Sequence, residues 1–229
     1  MNFTGRKNGF TLAEILITLA VIGVVATLTM PVLMQKYNNR IVETRLKKVY
    51  TVMNQAILMS EAKNGSREYW NFSDPDFWKT NFAPYLKVVK TEPFRAMNGY
   101  DYLKIYFPDG SLLFASQNRY VEDPETGEIE ILYGGGANQD FIFYPNAKNF
   151  NEAEFNVHEG IGIYAFIFIL YNDKQGFTPY NCSLESDLSN MLDGYRHSCN
   201  PNQPDRGFCT YYIYQNGWKI PKDYPFKVR

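Results

Sequence analysis

Residues 7–26 begin Lys7-Asn8-Gly9-Phe10-Thr11-Leu12-Ala13-Glu14 and continue as Ile-Leu-Ile-Thr-Leu-Ala-Val-Ile-Gly-Val-Val-Ala26. One carboxylate, Glu14, stands at the head of an uncharged apolar run that reaches Met34. Those 20 residues, 15–34, make a helix of roughly 30 Å, one hydrocarbon thickness. Arg6 and Lys7 precede the run, and positive charge on that flank keeps an N-terminus cytoplasmic and sends the rest of the chain outward. A secretory signal has a shorter apolar core, of about 7–15 residues, followed by a small-x-small cleavage site. The run here is longer and no such site follows it. A plain anchor fits the length but gives Glu14 no role. A carboxylate at mid-membrane costs on the order of 2.5–3.5 kcal/mol, and less near the interface.

The segment Gly9-Phe10-Thr11-Leu12-Ala13-Glu14 resembles the prepilin peptidase site of type IV pilins and type II secretion pseudopilins. The resemblance implies cleavage between Gly9 and Phe10 on the cytoplasmic face and N-methylation of the new Phe10 amine. It implies that Glu14 serves assembly by pairing with a neighbouring subunit's N-terminal ammonium. It also assigns Pro31, which stands 21 residues after Phe10, to the family's helix-bending proline. Leader 1–9, transmembrane or filament-core helix 10–34, amphipathic continuation 35–64 and β-rich extracytoplasmic head 65–229 are the expected divisions. The expected localisation is the inner membrane, as a single-pass protein, and then a filament at the cell surface.

Beyond the apolar run, residues 35–63 contain neither Pro nor Gly. Val42, Leu46, Val49, Met53, Ala56 and Ile57 recur in steps of three and four, or follow directly, as on one helical stripe. Asn64-Gly65-Ser66 supplies a stop. One long helix over residues 10–64 is expected, broken or curved at Pro31 because proline removes a backbone donor.

After Gly65 the composition turns aromatic. The chain has 18 Tyr and 17 Phe among its 229 residues, side chains that suit a pleated, half-buried surface. Strands are expected at 86–90, 102–107, 111–115, 128–133, 141–144 and 161–171. Pro108-Asp109-Gly110 reads as a hairpin turn. Residues 209–215 and 218–220 are expected as two further strands about a Gln215-Asn216-Gly217 turn. The fold class is α+β: the long helix packed on an antiparallel sheet, which is also the pilin-like architecture that the resemblance implies.

A formal net charge of −1 points to no nucleic-acid partner, which would call for a basic patch. The three cysteines stand at 182, 199 and 209. Cys199 and Cys209 enclose a short Pro-containing loop and are the favoured disulfide, with Cys182–Cys199 as the alternative. By the loop-entropy model such a closure stabilises by roughly 2–4 kcal/mol. A zinc set of Cys182, His197, Cys199 and Cys209 is formally available. Asn172, Asp173 and the acids at 122, 123, 125 and 128 offer oxygen ligands for calcium, but not at EF-hand spacing. Ser183, Asp187 and His197 lack a G-x-S-x-G elbow. The reading is therefore a structural subunit, with no enzyme activity and no cofactor or resident metal. Its expected place is a minor position in a type IV pilus-like or type II secretion pseudopilus filament. Its partners would be other pilin-like subunits, prepilin peptidase and the inner-membrane assembly platform. The alternative is a binding module at a filament tip, presented by the same helix.

Overall fold

The structure is a computed structural model that describes residues 9–96, 99–117, 119–122, 129–133, 138–156, 158–172, 176–180, 192 and 196–229. Helix α1, Leu12–Asn64, is continuous. From Leu12 through Met34 its residues are exposed, apart from a half-buried Ala26. The helix is continuous through Pro31. Pro31 leaves the Thr27 carbonyl without its helical donor. Thr27 and Thr29 turn their hydroxyls onto the carbonyls of Gly23 and Val25, at 2.7 and 2.9 Å. These back-bonds satisfy the hydroxyls inside the helix, as an apolar surrounding demands.

The second half of α1 buries Val42, Leu46, Val49, Met53, Ala56, Ile57 and Ser60, the stripe that the spacing predicts with one serine added. Ser60 is fully buried and donates to Asn81 Oδ1 at 3.1 Å. This bond ties α1 to the short helix α2, Phe77–Asn81. The stripe lies on a six-stranded antiparallel sheet of order β1-β2-β3-β6-β7-β8. Its strands are β1 (Lys90–Arg95), β2 (Asp101–Tyr106), β3 (Leu112–Gln117), β6 (Asn138–Tyr144), β7 (Phe166–Tyr171) and β8 (Phe177–Pro179). A separate ribbon pairs β4 (Arg119–Glu122) with β5 (Ile129–Tyr133). The pleat divides β3 between two cores. Leu113 and Ala115 join the cluster under α1, whereas Leu112 and Phe114 join a second cluster on the opposite face. There Phe114 meets Phe150 and Phe155 at centroid distances of 4.9 and 5.2 Å. The sheet is thus covered on both sides.

Three expected strands are corrected. The strand placed at 86–90 begins only at Lys90 and continues through Pro93. β1 is a sheet edge, and an edge tolerates a proline that cannot donate. The run 161–171 is a strand only from Phe166. Gly160 and Gly162 hold φ of 71° and 82°, which turns residues 161–165 into a tight loop around the Gly160 carbonyl. Residues 209–215 form no hairpin strand: Phe208–Gln215 is a helix, here α3. Asn216 and Gly217 (φ 67°) terminate that helix instead of reversing a strand. Burial explains the difference. Phe208 through Ile213 are all buried, and Thr210 Oγ1 accepts from the Ile167 amide at 3.0 Å. Tertiary contacts override the β preference of Thr-Tyr-Tyr-Ile.

Candidate functional site

Three regions carry the residues of interest, and the first is the start of α1. Thr11 is the N-cap, and with Glu14 it forms a complete capping box. The Glu14 amide donates to Thr11 Oγ1 at 3.3 Å. In return, the Thr11 amide and hydroxyl both donate to Glu14 Oε2 at 2.8 Å. The carboxylate therefore has two local donors on one oxygen, and among the described residues Oε1 has no partner. Gly9 and Phe10 lie just upstream, with Phe10 86% exposed. Gly9, Phe10 and Glu14 thus sit together within the first turn and its approach. Among the described residues, α1 is long and apolar enough to cross a membrane, and its apolar window is 0% buried.

The second region is the seam between α1 and the head. Arg45 donates Nη1 to the Pro145 carbonyl and Nη2 to the Asp109 carbonyl. One guanidinium thereby grips two loops of the sheet, using the rigid fork that distinguishes arginine from lysine. Lys48 adds an ion pair to Asp109 Oδ2 at 2.8 Å. Asp109 also accepts from the Ser111 amide and hydroxyl, at 3.0 and 2.6 Å. Burial raises the Asp109 pKa, but the bonds from Lys48 and Ser111 outweigh it and hold the carboxyl below its ordinary value of 3.8. Nearer the apolar half, Glu43 pairs with Lys219 at 2.8 Å and accepts from the Ile220 amide at 3.0 Å. Gln35 Nε2 donates to the Val228 carbonyl at 3.2 Å. Toward the far end, Asn54 Nδ2 donates to the Phe177 carbonyl at 2.8 Å. None of these pairings is visible in the sequence, where Arg45 and Pro145 are 100 residues apart. The only usable signal was Pro108-Asp109-Gly110 as a turn.

The third region is the C-terminal loop. Cys199 and Cys209 form a disulfide, which removes both thiolates from the formal zinc set. Cys182, Ser183, Asp187 and Asp173 lie outside the described residues, as do the acids at 123, 125 and 128. Among the described residues, His197 faces a carboxylate, that of Asp205. Its Nδ1 lies 2.7 Å from Asp205 Oδ2, and His158 Nδ1 approaches the same oxygen at 3.7 Å. Asp205 is only 6% exposed and lies inside the disulfide loop, so both histidines of the chain converge on it. Asp205 was missed because a lone Asp in a Pro-containing loop reads as a turn residue. Among the described residues, no group of three or more His, Cys, Asp or Glu side chains is arranged to hold a metal.

A model of a family of unknown function (DUF6613) matches residues 32–228. The chain belongs to that family. A second model, the prokaryotic N-terminal methylation motif, matches residues 4–30. With that motif this DUF6613 protein is a type IV pilin- and pseudopilin-like prepilin, a pilin-type subunit processed by prepilin peptidase. The apolar helix and the motif point to a membrane-anchored subunit, and the proteins that carry this pilin-type motif are structural. Neither the curated proteins nor the solved structures give a match to the DUF6613 chain.

Proposed function

We propose that the chain is cut between Gly9 and Phe10, methylated on the Phe10 amine, and polymerised as a minor subunit of a type IV pilus-like or type II secretion pseudopilus filament. The leader 1–9 is lost on the cytoplasmic side, residues 10–34 enter the filament core, and the head remains extracytoplasmic. Its partners in this reading are other pilin-like subunits and the inner-membrane assembly platform. The observation that carries the reading is the fully unpacked apolar half of α1, headed by a carboxylate with one oxygen still open. The capping box refines the expected electrostatics. Thr11 satisfies part of Glu14 within each subunit, so the carboxylate is not bare in lipid. An ammonium on a neighbour's Phe10 would complete it, because a buried acid is tolerable only when its charge is matched. The large aromatic head supports a minor position, since a dense shaft favours a small one.

Intact-mass measurement of protein extracted from native membranes tests the processing. The expected mass corresponds to loss of residues 1–9 plus one methyl group. A chain that retains Met1 refutes the reading.

A further inference from the structure

The segment 219–229 returns the head to the end of the apolar run. Gln35, the first residue after that run, donates to the Val228 carbonyl at 3.2 Å. Further along α1, Glu43 accepts from the Ile220 amide at 3.0 Å and pairs with Lys219 at 2.8 Å. Residues 220–228 are thus tied at both ends to one stretch of α1, about 12 Å long at 1.5 Å per residue. The segment is fixed to the body of the head as well. The Tyr224 hydroxyl donates to the Gly162 carbonyl at 2.7 Å, and the Arg229 amide to the Ile163 carbonyl at 3.0 Å. When residues 15–34 fill the hydrocarbon layer, the polar layer beyond them is about 5–7 Å deep. That depth is covered by residues 35–39 of α1. Val228, held to Gln35, therefore lies at the depth of the lipid headgroups.

The side chains displayed there are mostly cationic. Lys227 and Arg229 flank Val228 and are exposed, as are Lys222 on the same segment and Lys36 and Arg40 on α1. Arg206 lies over the Phe226 ring at 4.9 Å and brings a further guanidinium to the segment. Acids are present too. Glu43 is engaged by Lys219, Asp223 is exposed beside Lys222, and Arg229 shares a small pocket with Glu154 and Glu159. Tyr37, 65% exposed next to Lys36, is an amphipathic ring of the kind that settles at a membrane–water boundary. A bilayer holds its own anions, the lipid phosphates, at this depth. We propose that the base of the head docks on the membrane surface, with Lys36, Arg40, Lys222 and Lys227 against the headgroups of anionic lipids. The inference rests on the reading that residues 10–34 span the membrane. It adds a second hold, which seats the head on the bilayer instead of leaving it to swing on its helix.

The test places the full chain in lipid nanodiscs, one set of phosphatidylcholine alone and one with about a third phosphatidylglycerol. Amide hydrogen exchange, read by mass spectrometry, follows residues 12–34 and 219–229 separately. Residues 12–34 should be protected in both discs. Residues 219–229 should exchange at least about fivefold more slowly in the anionic disc, the weight of one lysine at such a surface. Salt concentrated enough to shrink the screening length to a few ångströms should abolish that difference. The double variant Lys222→Gln with Lys227→Gln should lose it, whereas Lys79→Gln, on the exposed side of α2, should keep it. If the double variant loses its near-UV circular dichroism, Lys36→Gln decides by the same criterion. Protected residues 12–34 with equal exchange of 219–229 in the two discs, a difference that survives salt, or a variant that behaves like the wild type overturns the inference. Unprotected residues 12–34 overturn the spanning reading itself, and the docking with it.

Discussion

Replacing Arg45 by methionine tests how the helix holds the head. Methionine keeps an unbranched apolar stem but presents nothing to the carbonyls of Pro145 and Asp109 that Arg45 grips. A hydrogen bond to a charged group contributes about 1.5–3 kcal/mol. Arg45 is half-buried, and the released carbonyls regain water, so the low end of that range applies to each bond. The expected loss for the two is about 3 kcal/mol. For a chain of this size each kcal/mol moves the melting temperature by about 2–4 °C, which gives a fall of about 6–12 °C. Arg45→Lys, with a single ammonium in place of the fork, should reach one carbonyl and lose about half as much. Near-UV circular dichroism of the full chain in detergent follows the unfolding of the head. A fall of less than about 2 °C for Arg45→Met would refute the assignment of the seam to this guanidinium.

The remaining predictions concern charge, cross-link and assembly. Because the Asp109 pKa is lower folded than unfolded, its contribution is fully present above the unfolded value and is lost as pH falls through the folded one. Urea midpoints should therefore drop more steeply below about pH 4 for the wild type than for Asp109→Asn, and parallel curves would contradict the Lys48–Ser111 assignment. The paired Cys199→Ser and Cys209→Ser substitutions should cost roughly 2–4 kcal/mol. Dithiothreitol should lower the melting temperature of the wild type and leave that double variant unmoved. Glu14→Ala should be processed normally yet fail to enter filaments, as measured by mature-chain mass alongside sheared-filament yield. Wild-type yield would remove the pairing argument.

Linear features were legible. The segment Gly9–Glu14 is contiguous, and the stripe from Val42 to Ile57 follows the 3.6-residue period, so neither needs a tertiary partner to be read. The hairpin at Pro108-Asp109-Gly110 was equally local. Features that depend on burial from all sides were not. The helix Phe208–Gln215 has no polar face to announce it, and its aromatic run matches a strand until the disulfide and Thr210 fix it against β7. In the 161–171 run, hydrophobicity hid Gly162, whose left-handed backbone, with that of Gly160 just before the run, delays the strand to Phe166. The Arg45 fork, the Asp205 pair of histidines and the tie of Val228 to Gln35 each join residues from distant segments, and no spacing rule connects them.

The outer strand β1 exposes Lys90 and Arg95, keeps Glu92 half-buried, and interrupts its own donor row at Pro93. The opposite edge, β8, has three residues, all buried. At these two edges of the six-stranded sheet a neighbour therefore finds no inviting ladder on which to lay a strand. Heads crowded together by their helices can slide and re-seat through side chains without knitting into a continuous cross-subunit sheet. The backbone pattern that seeds irreversible fibres is thus disarmed at the margin of the fold.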